Sequence, residues 1–243
     1  MAFWRAFECY FFSRIKLEHP VLDVGCGDGF FVQVVFEKPL EAGIDLDPRE
    51  VAKAEKSGSY QKVFHGSAAD MPFPNRSFKT VMSNCVLEHI PDIDAALREI
   101  HRVLKPQGRL LITVPSEYFN EGSFFQGLLQ KVGLRQLGEK YIESLNGVFK
   151  HHHVNDALTW KKRLQKAGFK MEKAEYFIPI KAFHVYERWM IAAFPAKISK
   201  VLFGRWVFGP RGLVKAFAGP WLTPAFQIQG DQGVVYFISA RKG

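Results

Sequence analysis

Residues 21–30, VLDVGCGDGF, constrain the fold of this chain more than any other stretch. An apolar run typical of a short buried strand holds one acid, Asp23, and is followed by Gly25, Gly27 and Gly29. Glycine has no Cβ, so its backbone can turn sharply and come close to a ligand. A strand that leads into a glycine-rich turn and then a helix is the usual nucleotide-binding corner of an open α/β sheet. The stretch therefore predicts an α/β fold with a nucleotide-like ligand at this turn.

The spacing of the glycines distinguishes between classes of nucleotide site. The dinucleotide fingerprint G-x-G-x-x-G needs its third glycine at position 30, where this chain has Phe30. The phosphate-binding P-loop ends in Gly-Lys-Ser/Thr, and that ending is absent. What remains, DVGCGDG at residues 23–29, resembles the first motif of class I S-adenosylmethionine (SAM) methyltransferases. In that family the loop wraps the methionyl and ribose parts of the cofactor. An NAD(P)-dependent oxidoreductase is the less favoured alternative.

Two later segments resemble the same family in the same order. Residues 43–48, GIDLDP, indicate a second strand that ends in acid, and the family places its ribose-binding carboxylate at the position of Asp45. A carboxylate accepts several hydrogen bonds, so it can hold both ribose hydroxyls. Residues 65–84 resemble the next family segment, in which Asp70 matches the residue that meets the adenine amino group. Lys79 departs from the family, which usually has Asp there.

The longest match, residues 81–115, resembles the subgroup often called methyltransferase type 11. Asp92 or Asp94 can cap a helix, and apolar residues then recur at the spacing of one helical face. The resemblance covers residues 20–115 closely and the remainder loosely. By this resemblance the cofactor-binding positions are Asp23, Gly25, Cys26, Gly27, Gly29, Asp45, Leu46, Asp70, Met71 and Asn84.

The order of elements predicts the fold class. Strand and helix alternate over residues 20–115, which is typical of a parallel sheet with right-handed crossovers. After a loop region, we predict a helix over 151–167, a strand over 168–180 and a buried last strand over 233–240. The resemblance implies a Rossmann-like three-layer sandwich, with a mostly parallel seven-stranded sheet and an antiparallel C-terminal strand. We predict one SAM-binding domain over 1–243, made of an N-terminal helix (1–19), a cofactor-binding core (20–115), a helical insertion or lid (181–229) and the last strand (230–243).

Residues 181–229 combine aromatic and basic side chains. Ten aromatic residues and seven Lys or Arg stand beside one acid, so the segment supplies +6 of the chain's net charge of +9. Four prolines divide it, so no single helix of membrane-spanning length is predicted. Three interpretations stay open: a lid over the acceptor pocket, a contact with an anionic membrane surface, and an oligomer interface. The oligomeric state itself is not predicted.

Composition and charge exclude several functional classes. Hydrophobic residues make up 47% and charged residues 23%, which is typical of a globular chain. The three cysteines have unrelated spacings, so neither a disulfide framework nor a metal site is predicted. The positive charge lies in an apolar-rich segment without a recognised RNA module, so nucleic acid is not the expected partner. Residues 1–20 lack the apolar core of a signal peptide, which predicts a cytoplasmic protein; peripheral contact at the inner membrane face through 181–229 is one of the three open interpretations of that segment.

The resemblance implies methyl transfer from SAM to a small or lipid-like acceptor, with S-adenosylhomocysteine as product. The leaving group is neutral, so alignment and exclusion of water supply much of the acceleration. A hydroxyl acceptor also benefits from a base, and the candidates are His89, His151 and His152. Glu88 is interpreted as a structural hydrogen-bonding partner rather than an acid catalyst. Whether oxygen, nitrogen or carbon is methylated stays open, and the alternative is a non-catalytic SAM-binding protein of the same fold.

Overall fold

The computed structural model describes residues 2–188 and 232–243. The strands are β1 (Val21–Val24), β2 (Leu40–Asp45), β3 (Tyr60–His65), β4 (Phe78–Asn84), β5 (Leu104–Pro115), β6 (Phe169–Pro179) and β7 (Gly233–Lys242). The helices are α1 (Ala2–Phe12), α2 (Phe30–Val35), α3 (Pro48–Ser57), α4 (Ile93–Val103), α5 (Tyr118–Glu121), α6 (Phe124–Lys131), α7 (Arg135–Phe149) and α8 (Ala157–Lys166). A 3-10 turn, Leu87–His89, follows β4, and residues 180–188 are helical.

All the described strands join one seven-stranded sheet in the order β3-β2-β1-β4-β5-β7-β6. The strands from β1 to β5 pair in parallel, whereas β7 is antiparallel to both β5 and β6. The predicted fold class is therefore confirmed, including the antiparallel C-terminal strand. The direction of strand order reverses between β1 and β4, and in open α/β sheets ligands bind outside the carboxyl ends of the strands at such a point.

Helix α4 shows how local sequence positions the elements around the sheet. Of the two predicted caps, Asp92 caps the helix by accepting a hydrogen bond from the backbone N–H of Ala95 at 2.9 Å. Asp94 instead pairs with Arg163 and Lys166 of α8, at 3.3 Å and 3.0 Å. The apolar face predicted from the spacing is fully buried against the sheet through Ala96, Leu97, Ile100 and Val103.

The predicted helix over 151–167 starts too early. Helix α8 begins at Ala157, where the side chain of Asp156 accepts a hydrogen bond from the N–H of Thr159 at 2.7 Å. The backbone N–H groups of His151 and His152 donate instead to Asn146 and Glu88, so this run connects α7 to the turn after β4. The loop region predicted before it contains α5, α6 and α7. Helix α6 has no buried residue, so its sequence carries no core-facing apolar stripe to recognise.

Part of the predicted insertion 181–229 is described. Residues 181–188 continue the helix that follows β6, and their aromatic side chains Phe183 and Tyr186 are buried. Residues 189–229 lie outside the described residues. The helices of the described ranges include none long and apolar enough to cross a membrane. The division of 1–243 into a single domain stays a prediction.

Glu187 joins the helix at 180–188 to α6 and α7. This fully buried carboxylate accepts hydrogen bonds from the Ser123 hydroxyl at 2.6 Å and the Tyr141 hydroxyl at 3.1 Å. It also accepts one from the backbone N–H of Phe124 at 2.6 Å. Because Phe124 is the first residue of α6, the carboxylate acts as a cap supplied from another helix.

We expect Glu187→Gln to lower the free energy of unfolding by about 1–3 kcal/mol. The NH₂ group of the amide cannot accept, so either the backbone N–H of Phe124 or the hydroxyls of Ser123 and Tyr141 would lose the oxygen to which they now donate. Glu139→Gln is the matched control, because it removes an exposed ion pair with Arg135 on α7, and we expect a change of roughly 0.5 kcal/mol or less. Urea titrations measure both. Equal stability of the two variants would contradict the capping role.

Candidate active site

The glycine loop after β1 has two glycines that packing requires and one that faces open space. The φ angles of Gly25, Gly27 and Gly29 are +77°, +55° and +79°. A Cβ on Gly25 would lie 2.4 Å from Val86 Cγ2, and one on Gly29 would lie 2.5 Å from Ser57 Oγ. A Cβ on Gly27 would meet nothing within 4 Å. The loop therefore presents bare backbone to open space at Gly27, which leaves room for a ligand.

Asp45, at the carboxyl end of β2, holds the glycine loop in place. Its Oδ2 accepts a hydrogen bond from the N–H of Gly27 at 2.8 Å, and its Oδ1 accepts one from the N–H of Asp47 at 2.9 Å. A carboxylate has about four lone-pair sites, so capacity remains for ligand hydroxyls. Asp47 is engaged elsewhere, since it caps α3 and pairs with Arg49. The adjacent Leu46 is 70% exposed, an apolar surface beside the loop.

Asp23 and Cys26 support the loop from behind. Asp23 is buried inside β1 and accepts a hydrogen bond from the Tyr60 hydroxyl at 2.6 Å. Burial raises the pKa of Asp23 to about 6, although the bond from Tyr60 opposes this rise. Cys26 is also buried, and a Cβ on Gly43 would lie only 3.0 Å from its side chain. Burial raises the pKa of the Cys26 thiol, which keeps it protonated.

The loop after β3 contains two further predicted cofactor positions. Asp70 is exposed and forms an isolated bridge with Ser67. Met71 is buried, and its backbone N–H donates to Glu99 Oε2 at 2.7 Å. The exposed carboxylate of Asp70 is therefore open to a ligand, whereas the Met71 side chain belongs to the hydrophobic core.

A cavity of about 540 Å³ opens at the carboxyl ends of β4 and β5. Its aromatic walls come from α1, α5, α7 and the helix at 180–188, through Trp4, Phe119, Phe149 and Tyr186. Its polar members are Arg5, Glu8, Asn84, Cys85, Glu88, His89 and His151. Since β4 lies beside β1 in the sheet, the cavity and the glycine loop share the edge at which the strand order reverses.

The polar partners of Asn84 are all protein side chains. Its Nδ2 donates to Glu8 Oε2 at 3.0 Å, and its Oδ1 accepts from Thr113 Oγ1 at 2.5 Å. Glu8 also accepts hydrogen bonds from Cys85 Sγ at 3.3 Å and Arg5 Nη1 at 3.5 Å. Burial raises the pKa of Glu8 in spite of these partners. Asn84, predicted to bind cofactor, thus ties α1 to the end of β4.

Glu88 lies in the same corner with an unsatisfied oxygen. The residue is 1% exposed, and its Oε2 has no hydrogen-bond partner in the described part of the chain. Its Oε1 lies 3.9 Å from Nε2 of His89. Burial, with a smaller contribution from the charge of Glu8, raises the pKa of Glu88 to about 8. The interpretation of Glu88 as a structural hydrogen-bonding partner is wrong for Oε2.

Two of the three histidines predicted as bases line the cavity. His89 and His151 stack with their ring centroids 5.6 Å apart. The Nδ1 of His89 lies 3.0 Å from the carbonyl oxygen of Lys150; a carbonyl only accepts, so this nitrogen carries the proton. Burial lowers the pKa of His151 to about 4, so its ring is neutral at physiological pH. His152 is exposed and does not join the other two in the cavity.

Sequence reasoning did not identify Arg5 and Glu8 as site residues. The N-terminal helix predicted over 1–19 corresponds to α1, which ends at Phe12, and its Trp4 lies in the cavity wall. The available signal was the oppositely charged pair Arg5 and Glu8 in a helix rich in aromatic residues. Over the described ranges, no three His, Cys, Asp or Glu side chains are grouped so as to hold a metal ion.

The comparisons with known proteins agree with this architecture. The family model described as a methyltransferase domain matches residues 22–112. The demethylmenaquinone methyltransferase of Chlorobaculum tepidum is 31% identical over 169 residues, which cover 66% of this chain and 68% of that protein. A Bacillus subtilis protein named as a methyltransferase is 28% identical and covers 56% of this chain and 86% of its own length. The chain belongs to the class I SAM-dependent methyltransferase family.

Solved structures show the same fold at low sequence identity. A SAM-dependent methyltransferase from Thermotoga maritima aligns with a TM-score of 0.61 and 17% identity, over 100% of this chain and 90% of that one. Another from Mesorhizobium loti aligns with a TM-score of 0.57 and 18% identity, over 100% and 98%. Family and fold together make this protein a SAM-dependent methyltransferase.

Proposed function

We propose that the β1 loop and Asp45 hold SAM, and that the aromatic cavity holds a small, ring-bearing acceptor. The observation that carries this proposal is a cavity of about 540 Å³ with aromatic walls, on the sheet edge that also bears the glycine loop. The open face of Gly27 and the remaining lone pairs of Asp45 fit a ribose and its flanking chain. When bound, SAM supplies a methyl group that is attached to a positively charged sulfur. The sulfur is the leaving group, and it becomes a neutral thioether.

The chain's own residues bind the acceptor, orient it and exclude water from it. Trp4, Phe119 and Phe149 offer flat apolar surfaces on which a ring packs in a defined orientation. Such alignment accounts for much of the acceleration of a displacement reaction. His151 extends this surface, because its neutral ring stacks on Phe149 with the centroids 5.5 Å apart. A base whose pKa is about 4 is a weak proton acceptor at neutral pH. We therefore assign His151 to the wall of the cavity rather than to base catalysis.

The acceptor class follows from the cavity and from the named relatives. Several of the relatives are named demethylmenaquinone methyltransferases, so an acceptor ring with a lipid-like tail is a member of the class we propose. We propose a cytoplasmic location for the enzyme. The aromatic and basic composition of 181–229 supports three roles for this segment: a lid over the pocket, a contact with the inner membrane face, or an oligomer interface.

The first experiment follows labelled methyl groups from radiolabelled SAM into a host-cell extract, which is then partitioned between organic solvent and water. Label in the organic phase supports a lipid-like acceptor, and label confined to water directs the search to soluble metabolites. No transfer into either phase, with normal S-adenosylhomocysteine binding, would favour the non-catalytic alternative.

Asp45→Ala serves as the blank, and we expect it to weaken S-adenosylhomocysteine binding by about 10-fold or more. The change removes the charged acceptor that faces the ligand and releases the N–H of Gly27 that orders the loop. Asp47→Asn is the matched control, because asparagine also caps helices, and its affinity should stay close to native. Calorimetric titration measures both. Native affinity in Asp45→Ala would remove this carboxylate from the site.

A further inference from the structure

The cavity holds two buried carboxyl groups that differ in their partners. Both oxygens of Glu8 accept hydrogen bonds, Oε1 from Cys85 and Oε2 from Asn84 and Arg5. Glu88 is equally buried, yet its Oε2 accepts none. Glu8 therefore has protein partners for both of its oxygens, whereas the Glu88 carboxyl group accepts a hydrogen bond from the backbone and none at Oε2.

An unsatisfied buried carboxyl oxygen is a costly feature that a ligand can relieve. Leaving such a group without a partner destabilises the folded chain, so orphaned polar atoms in a cavity call for an explanation. Glu88 lines the aromatic cavity, and because its Oε2 is shut off from water, a rotation of the carboxyl group is needed to present this oxygen to a molecule there. A ring-bearing molecule in that cavity would complete this site if it carried a hydrogen-bond donor, as a hydroxyl or an amine does.

Arg5 distinguishes between those two donors. Its guanidinium lines the same cavity and contacts Glu8 at the long distance of 3.5 Å, with its side chain 48% exposed. A fixed cation repels an ammonium group and stabilises an oxygen on which negative charge develops. Among the described residues, Arg5 is the one Lys or Arg that lines this cavity with Glu88; the other titratable residues of the lining are Glu8 of α1, Cys85 after β4, His89, His151 after α7, and Tyr186.

We propose that Glu88 accepts the proton of a phenolic or enolic hydroxyl on the acceptor ring, so that the enzyme is an O-methyltransferase. The O–H proton passes to the Glu88 carboxylate and its electron pair stays on the acceptor oxygen. That oxygen forms the new bond to the methyl group while the methyl–sulfur pair returns to sulfur. The products are a methyl ether, neutral S-adenosylhomocysteine and protonated Glu88. The inference rests on the proposed function, because it places the acceptor in the aromatic cavity.

His89 provides the route by which the proton leaves. Its Nδ1 carries a proton toward the carbonyl of Lys150, so Nε2 is the ring nitrogen that can accept a further proton. This Nε2 lies 3.9 Å from Glu88 Oε1, a separation that one small rotation or a bridging water spans, and the side chain is 38% exposed. His89 thus connects the buried carboxyl with solvent, which makes it a relay rather than the first base.

A binding experiment tests the hydrogen bond without methyl transfer. The probes are 1-naphthol and 1-methoxynaphthalene, which share their rings and differ in the donor, each titrated calorimetrically in the presence of S-adenosylhomocysteine. The native protein should bind 1-naphthol tighter by about 10-fold. Glu88→Leu keeps the volume and removes the acceptor, so the preference should fall to about 1-fold. Equal affinity of both probes for the native protein would overturn the assignment.

The pH dependence of methyl transfer to 1-naphthol or into the extract tests the base. The rate of the native protein should rise with pH as Glu88 ionises, with a midpoint at about pH 8, and should reach a plateau above it. We expect Glu88→Gln to be roughly 100-fold slower and flat over that range, and Glu88→Asp to recover part of the rate with its pH dependence. A native rate and profile in Glu88→Gln would overturn the proposal.

Two further variants separate this proposal from the one on which it rests. Glu172→Gln alters a carboxylate on β6 that pairs with Arg241 away from the cavity, and it should keep the native rate and profile. Native S-adenosylhomocysteine affinity in Glu88→Gln shows that the variant is folded. Full label transfer by Asp45→Ala would contradict the proposed cofactor site. If Asp45→Ala transferred no label and Glu88→Gln kept the native rate, only the role of Glu88 as the base would be rejected.

Discussion

Gly27→Ala is expected to weaken S-adenosylhomocysteine binding by about 10-fold or more while the ligand-free protein stays folded. A Cβ at this position meets no protein atom within 4 Å, so it occupies only the space that we assign to the ligand. The φ of +55° lies in the left-handed region, where a side chain costs roughly 1–2 kcal/mol. Tm should therefore fall by about 2–8 °C for a chain of this size.

Gly25→Ala, two positions away, should behave in the opposite way. Its Cβ would lie 2.4 Å and 2.5 Å from the two Cγ atoms of Val86, and its φ is also positive. The crowding and the strained backbone together should lower the free energy of unfolding by roughly 2–5 kcal/mol. Thermal unfolding and calorimetric titration of both variants separate folding from binding. Unchanged affinity in Gly27→Ala would show that the cofactor does not pass over this face of the loop.

Glu88→Gln is expected to stabilise the protein at alkaline pH while it slows methyl transfer. The pKa of Glu88 is raised from 4.5 to about 8, so between these values the folded chain binds more protons than the unfolded chain. The free energy of unfolding of the native protein therefore falls as pH rises through this window; the contribution of Glu88 is fully present below about 4.5 and is lost by about 8. Glutamine does not titrate, so the variant escapes this loss.

Urea titrations at about pH 4.5 and about pH 9 measure this difference. The two proteins should be nearly equally stable at the lower pH, and the variant should be more stable on the order of a few kcal/mol at the higher pH. Asp23, whose pKa is also raised, is present in both proteins and cancels in the comparison. Parallel stability curves over this range would show that Glu88 is not held neutral by burial. Gained stability with lost activity is the usual signature of a destabilised functional group.

Much of the fold was predictable because its signals are local. The turn at Gly25–Gly29 follows from backbone geometry, the buried face of α4 from helical spacing, and the last strand from an unbroken apolar run. The helices between β5 and α8 were missed because their burial is sparse, as in α6, where no residue is buried. The early start predicted for α8 has another cause: the N–H of His152 donates to the carbonyl oxygen of Glu88, which is distant in sequence, so the chain before Ala157 is not helical.

In the candidate site, the cofactor loop is encoded by neighbouring residues, whereas the cavity is formed by residues that are distant in sequence. By itself the sequence determined the class of cofactor, because the glycine loop and Asp45 lie within one strand–turn–helix unit and the strand after it. Only the tertiary structure decided which polar groups share the aromatic cavity: α1 brings Arg5 and Glu8 to the end of β4, where they line the cavity together with the buried Glu88. The charge state of a carboxyl group depends on the water it loses, and neighbours distant in sequence remove that water.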